Sequence, residues 1–189
     1  LIVNTLKVGV LFNTILLAAS FYLFFVSLKD FFKNKTRNFS QNMAHFGFSL
    51  LILSILFNNF LSKEVITNLK IGESFQSKDL KISFESLNQS TKNNYESLVG
   101  KFNIENLKGD TQILYPELRI YNQPNIITSE ADIKTNFIED KFMTMNLVNN
   151  QEYFNIRYQI KPYMLWIWIS VLLISVGGSV SLFKKKYEK

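Results

Sequence analysis

The sequence contains no cysteine. Neither a disulfide framework nor a thiolate metal site can therefore be built from this chain. Histidine is almost as scarce, with a single residue at position 45. From residue 62 to 161 there is no histidine at all, which excludes serine–histidine and cysteine–histidine catalysis in that stretch. No glycine-rich phosphate loop and no carboxylate cluster with metal-ligand character is present either. The chain does not begin with methionine but with Leu1-Ile2-Val3, as expected of a fragment or a processed product, and no signal peptide is apparent there.

What the 189 residues do contain is apolar: 47% are hydrophobic and 18 are phenylalanine, while charged residues still reach 19%. That mixture predicts membrane helices joined to a water-exposed part. The abundance of Phe, Ile, Asn and Lys also suggests an AT-rich coding sequence, as in an organelle or a streamlined bacterium. The net charge of +6 is unevenly placed. Residues 62–161 carry twelve basic side chains against thirteen acidic ones, and the flanking segments carry nine basic side chains against Asp30 and Glu188 alone. Nucleic-acid binding requires a basic face on the soluble part, and none exists here.

Three runs are long enough to cross the hydrocarbon as helices: about 8–28, about 43–61 and about 163–183. Trp166 and Trp168 open the third, where an interfacial aromatic belt belongs. Lys29, Lys33, Lys35 and Arg37 fill the connection between the first two runs, and Lys184, Lys185, Lys186 and Lys189 follow the third. Both clusters are expected on the cytoplasmic or matrix side. One topology satisfies both, with residue 1 and residues 62–161 outside. The chain thus divides into residues 1–61 with two transmembrane helices and a basic cytoplasmic loop, an extracytoplasmic domain at 62–161, and a third helix with a basic cytoplasmic tail at 162–189.

Residues 62–161 carry the two-residue rhythm of half-buried strands, in Ile82-Ser83-Phe84-Glu85, Phe102-Asn103-Ile104-Glu105 and Phe154–Ile160. Turn material separates them at Gly72-Glu73, Asn93-Asn94, Lys108-Gly109-Asp110, Asn122–Asn125 and Asn149-Asn150. The expected fold is a membrane protein of three transmembrane α-helices plus a small extracytoplasmic antiparallel β domain, sandwich or barrel. Glu117 and Arg119 would share one strand face, which reads as a solvated ion pair beside a proline turn, and Arg157 reads in the same way.

His45 is the one chemically pointed residue, four residues into an apolar run. An ionisable side chain there marks a polar pathway or a cofactor ligand, and imidazole suits haem iron. Small neighbours, Ala44 and Gly47, leave room for a flat macrocycle or for a second helix. Two plainer readings stand beside it: a histidine hydrogen-bonded across the bundle, or one snorkelling toward the basic loop.

Met43-Ala44-His45-Phe46-Gly47 resembles the "LAHxG" segment of the cytochrome c maturation protein F (CcmF) family. Tyr115-Pro116-Glu117-Leu118-Arg119-Ile120-Tyr121 is similar to its "PEKRxY", with Leu118 in place of lysine. Thr128–Ile133 is similar to its "T-E-A-x-I" stretch, and Pro162, Trp166-Ile167-Trp168 and Gly177-Gly178 to its last span. These segments occur in the family's order from about Met43 to Gly178. The resemblance implies a haem lyase of c-type cytochrome biogenesis, which receives haem from a haem chaperone and attaches it to the CxxCH cysteines of apocytochrome c. It also implies a separate haem b with His45 as one axial ligand to the iron. The family's tryptophan-rich signature, its outer-face histidines and the second haem ligand lie N-terminal to this region. The chain is therefore expected to be the C-terminal portion of such a protein, not catalytic alone, with the missing N-terminal part as a partner. Further partners implied are the haem chaperone, apocytochrome c, its chaperone and thiol-reductase subunits, and membrane lipid. The expected location is the bacterial inner membrane with the β domain in the periplasm, or else the mitochondrial inner membrane. A reading from another class remains: a non-catalytic anchored β-domain scaffold in which His45 only packs.

Overall fold

A computed structural model describes residues 2–33, 39–106, 109–148 and 152–187. Lys35, Arg37 and Lys189 of the basic clusters, and the turn signals at Lys108 and Asn149-Asn150, lie outside the described residues, as do the side chains of residues 184–186. The chain forms three helices, α1 (Ile2–Lys33), α2 (Phe39–Leu61) and α3 (Met164–Tyr187), and ten strands. The strands are β1 (Lys63–Leu69), β2 (Ser74–Gln76), β3 (Leu80–Thr91), β4 (Tyr95–Asn106), β5 (Thr111–Leu114), β6 (Glu117–Tyr121), β7 (Ile126–Glu130), β8 (Asp132–Thr135), β9 (Glu139–Leu147) and β10 (Phe154–Pro162). They belong to two compact units, one of the helices with residues 137–139, the other of the remaining strand region.

All three helices are long and apolar enough to cross a membrane, over Phe12–Lys33, Phe39–Leu61 and Met164–Phe183. The 23 residues of α2 span about 34 Å, close to the ~30 Å of a hydrocarbon core. The helices associate through two different contacts. Between α1 and α2 the contact is aromatic: Phe31 stacks on Phe46 at 5.5 Å, Phe24 lies 5.7 Å from Phe46, and Phe21 meets Phe57 edge-on at 5.7 Å. Between α2 and α3 it is the absence of side chains that matters. A Cβ at Gly177 would lie 2.7 Å from the Ser40 carbonyl oxygen and 2.8 Å from the Ala44 nitrogen, and one at Gly47 would lie 2.9 Å from the Leu173 Cβ. Small residues let helix backbones approach where lipid offers no hydrophobic drive to associate. Below this seam the Asn58 side-chain amide donates to the Pro162 carbonyl at 2.7 Å.

The strand unit is a sandwich. One sheet runs in the order β1-β10-β9-β8 and the other β2-β3-β4-β6-β7, with β5 pairing β4 beyond β6. Period-two alternation decides its core. Ile82, Phe84, Phe102, Ile104, Leu114 and Leu118 point inward from the larger sheet, and Leu69, Met143, Met145, Phe154, Ile156 and Tyr158 from the smaller. Phe84 stacks on Phe102 at 4.3 Å within its sheet and meets Phe154 of the facing sheet edge-on at 5.4 Å. A bulge at Glu85 shifts the β3–β4 register after Phe84, and Glu85 turns to Lys101, 2.8 Å away. The turn signals at Gly72, Asn93-Asn94 and Asn122–Asn125 fall between strands as expected.

The helical seam makes a sharp prediction. Gly177→Leu forces the α2–α3 backbones apart and lowers the thermal unfolding midpoint of the detergent-solubilised protein by several degrees. Gly178→Leu, at a position where a Cβ meets nothing within 4 Å, leaves the midpoint unchanged within error.

Candidate functional site

Two polar sites stand out from this framework, one on the helices and one on the sandwich. On α2, the 3.6-residue period places Ser40, Ala44 and Gly47 on the α3 seam and carries His45 well round to another face. His45 is exposed, and its nearest polar neighbour is the Gln41 side-chain amide one turn earlier, at 3.4 Å from Nε2. The room that Ala44 and Gly47 leave is taken by α3, so of the two uses open to these small residues the neighbouring helix is the one realised.

His45 rims a cleft of about 220 Å³ between α1 and α2, lined also by Leu23, Val26, Asp30, Asn42 and Phe48. This is below the ~300 Å³ at which pockets begin to enclose a small-molecule ligand. The imidazole is thus presented outward on the helix surface beside Phe48 rather than enclosed. A ring presented on an open surface can enclose a flat ligand only if another element covers it. Among the described residues no group of three or more histidine, aspartate or glutamate side chains could hold a metal ion.

Sequence reasoning missed the polar seam that fixes α1 against α2 beside His45. The Ser27 and Ser49 hydroxyls are 2.5 Å apart, and the Asn42 amide donates to the Asp30 carbonyl at 2.9 Å. Each hydroxyl is also within reach of a carbonyl of its own helix, Ser27 of Phe24 and Ser49 of Phe46, so one donates across the seam while the other donates to its own helix. The signal was available, since Asn42, His45 and Ser49 follow i, i+3, i+7 spacing, one face of a helix.

On the sandwich, Glu117 and Arg119 do share a face, yet they are not a solvated pair. Arg119 Nη2 donates to Glu117 Oε2 at 2.9 Å, and the side chains are only 31% and 21% exposed. The Ser97 hydroxyl, on paired strand β4, donates to Glu117 Oε1 at 2.6 Å. Arg119 also approaches Glu130 of β7 at 3.7 Å and lies 5.2 Å from the centre of the Tyr95 ring. The register explains the convergence: Ser97 is opposite Arg119, and Glu130 opposite Glu117. The Arg119 guanidinium, by its hydrogen bond, and the Ser97 hydroxyl hold the Glu117 carboxyl below the usual carboxylate range, against the opposing effect of desolvation. Arg119 is in turn held further into its charged form by Glu117.

Arg157 has a comparable arrangement on the other sheet. Its Nε donates to Glu64 Oε1 from the neighbouring strand, and the buried Gln159 side-chain amide donates to the same oxygen at 2.6 Å. Both bonds lower the Glu64 pKa, that from Arg157 more.

The family model described as the CcmF C-terminal beta-sandwich matches residues 60–162, more than half of the chain. The chain belongs to the CcmF family. Among curated relatives, the cytochrome c-type biogenesis protein CcmF of Escherichia coli strain K12 is 26% identical over 146 residues, covering 77% of this chain and 23% of the relative. The cytochrome c-type biogenesis protein NrfE of Haemophilus influenzae is 23% identical over 182 residues, covering 94% of this chain and 28% of the relative. A solved structure, the cytochrome c haem lyase CcmF, aligns with a TM-score of 0.56 at 17% identity, over 73% of this chain and 23% of that one, a likeness of fold. The chain spans about a quarter of the length of the CcmF relatives it matches.

A CcmF sandwich built round this ion pair has a defined acid limit. Because the folded-state pKa of Glu117 is lowered, its carboxylate stabilises the fold above the ordinary glutamate value, about 4.3. That contribution is lost as pH falls through the lowered value. Glu117→Gln lacks it at every pH, so the variant's unfolding midpoint starts lower at pH 7 and falls less steeply than the parent's below about pH 4.3. Thermal unfolding followed by circular dichroism between pH 7 and 3 measures this.

Proposed function

We propose that the chain is the C-terminal part of a haem lyase assembly for c-type cytochrome maturation, and that His45 is one axial ligand of a membrane haem b. The observation that carries this reading is the placement of His45. The sequence's one imidazole stands exposed on α2, away from the α3 seam, at the rim of a cleft where Leu23, Val26 and Phe48 lie beside Asp30 and Asn42. An imidazole buried for packing would be expected inside the bundle with a full set of partners. The names of the relatives, cytochrome c-type biogenesis proteins, supply the chemical context. Bound there, haem b would supply one-electron chemistry to keep transferred haem reduced. His45 would hold one side of its iron through a ring nitrogen, and Leu23, Val26 and Phe48 would add apolar contact beside it. The other axial ligand would come from the N-terminal part of the protein.

The remaining roles follow from charge and topology. The basic connection between α1 and α2 and the basic tail after α3 favour the cytoplasm or matrix, which supports a sandwich exposed to the periplasm of a bacterial cell, or to the mitochondrial intermembrane space. A cysteine at Asn94, between β3 and β4, then reacts with an impermeant thiol reagent applied from that side, and one at Asn34 does not. The opposite pattern overturns the orientation. The sandwich carries no histidine and serves as a docking and support surface for the haem chaperone, apocytochrome c and its delivery and thiol-reductase subunits. Catalysis belongs to the assembly and not to this chain alone. Arg119→Glu places like charge beside Glu117 and Glu130, weakens assembly, and leaves the haem b spectrum nearly intact.

His45 provides the decisive test. In the complete protein, His45→Ala lowers haem b strongly, with membrane insertion unchanged. His45→Gly opens the same coordination gap and recovers haem in part with added imidazole. His45→Leu fills the gap and does not recover. The measurement is the reduced pyridine haemochrome spectrum per mole of protein. Full occupancy in His45→Ala would replace this reading with that of an anchored β-domain scaffold.

A further inference from the structure

The hairpin between β8 and β9 ends in an unusual tip. Phe137 and Ile138 are 75% and 64% exposed, the first among the most exposed large apolar side chains described. An apolar hairpin tip in water has no stabilising role of its own, and exposed aromatic–aliphatic pairs of this kind mark contact surfaces. Residues 137–139 belong to the helical unit, and their hydrogen bonds show why. The Trp166 indole Nε1–H, in the first turn of α3, donates to the Phe137 carbonyl at 2.8 Å. The Tyr163 backbone N–H donates to the Ile138 carbonyl at 2.7 Å. Tyr163 itself is the one-residue joint between β10 and α3 and takes a left-handed backbone conformation, φ 60°. That turn aims its N–H at the tip, while its side chain rests 5.2 Å from the Phe57 ring of α2.

We propose that Phe137 and Ile138 insert into the lipid headgroup–acyl boundary beside the N-terminal end of α3. Three features converge on lipid rather than protein as the occupant. The first is level: the tip is bonded to the start of a span that runs Met164–Phe183, so its side chains lie where that helix enters the membrane. The second is the backbone. Non-helical chain at membrane depth is tolerated only when its polar groups are satisfied, and both carbonyls of the tip are. The third is the surrounding chemistry. Trp166 and the exposed Trp168 form an interfacial aromatic pair at the same helix end. The inference stands apart from the role of His45 and holds for either orientation of the chain in the membrane.

The test uses the whole protein in its native membrane, with Phe137→Cys labelled by an environment-sensitive fluorophore. Asn94→Cys in the β3–β4 turn serves as the water-exposed reference, and the unsubstituted protein corrects for labelling of cysteines in other subunits. The probe at 137 is expected to emit further to the blue than the probe at 94. Phospholipid carrying a nitroxide near the headgroup should quench it several-fold more than it quenches the reference, and aqueous iodide should quench it less. Iodide quenching equal to the reference, without lipid quenching, places the tip in water and overturns the proposal. Protection from both quenchers shows that a protein covers the tip and overturns it equally. Ile138→Cys repeats the measurement should the first variant fail to accumulate in the membrane.

Discussion

The close approach of α2 and α3 is the constraint on which the helical part depends. Apolar helices gain little by leaving lipid for one another, so their association rests on van der Waals contact and on polar groups that find partners. Gly47 and Gly177 provide the contact by having no side chain where the backbones meet, and the Asn58–Pro162 hydrogen bond adds a polar tie. With that face of α2 committed, the helix has one rotational setting. His45 then stands on a surface that α3 cannot cover, and Phe46 stands toward α1, where Phe24 and Phe31 receive it. The exposure of the histidine is thus a consequence of two glycines.

The strand unit follows a different pattern, because its apolar residues alternate along each strand. Its apolar alternation drives two sheets together over Phe84, Phe102 and Phe154, the aromatic group that joins them. Its polar residues are then sorted by strand register. Ser97, Glu117, Arg119 and Glu130 come from three neighbouring strands and meet only because β4, β6 and β7 pair in this order. β1 and β10, the first and last strands, pair along their length from Lys63↔Ile160 to Leu69↔Phe154. The domain therefore begins and ends on adjacent strands, one following α2 and the other preceding α3. That is a simple way to insert a sandwich between two membrane helices.

These features suit a division of labour. The helices carry the only imidazole and a surface on which another element can close. The sandwich carries charge held in place by hydrogen bonds. The chain belongs to the CcmF family, and the CcmF relatives it matches are cytochrome c-type biogenesis proteins about four times as long.

The sequence by itself determined the three helices and the alternating segments of β3, β4 and β10, whereas the other seven strands carried no named signal. Continuous apolar runs, period-two alternation at Ile82–Glu85, Phe102–Glu105 and Phe154–Ile160, and turn residues are local signals, and local conformation follows them. It also singled out His45, because an ionisable side chain in an apolar run is costly, though the run alone left a ligand, a bundle hydrogen bond and snorkelling open. Only the tertiary structure decided what the small residues beside it are for: Gly47 is spent on α3, while Gly178, its equal in sequence, touches nothing. The exposure of Glu117 and Arg119 was likewise undecidable in one dimension. Strand alternation shows that they share a face, but their shielding comes from Ser97 and Tyr95 on another strand and Glu130 on a third. The hairpin tip makes the same point. Phe137-Ile138 reads as an apolar pair in a polar stretch, and its meaning depends on Trp166 and Tyr163, some 25 to 30 residues away in the chain, which bond to its carbonyls. Local propensity is written along the chain, whereas contacts between distant residues depend on register and helix rotation, which are settled only when the elements pack.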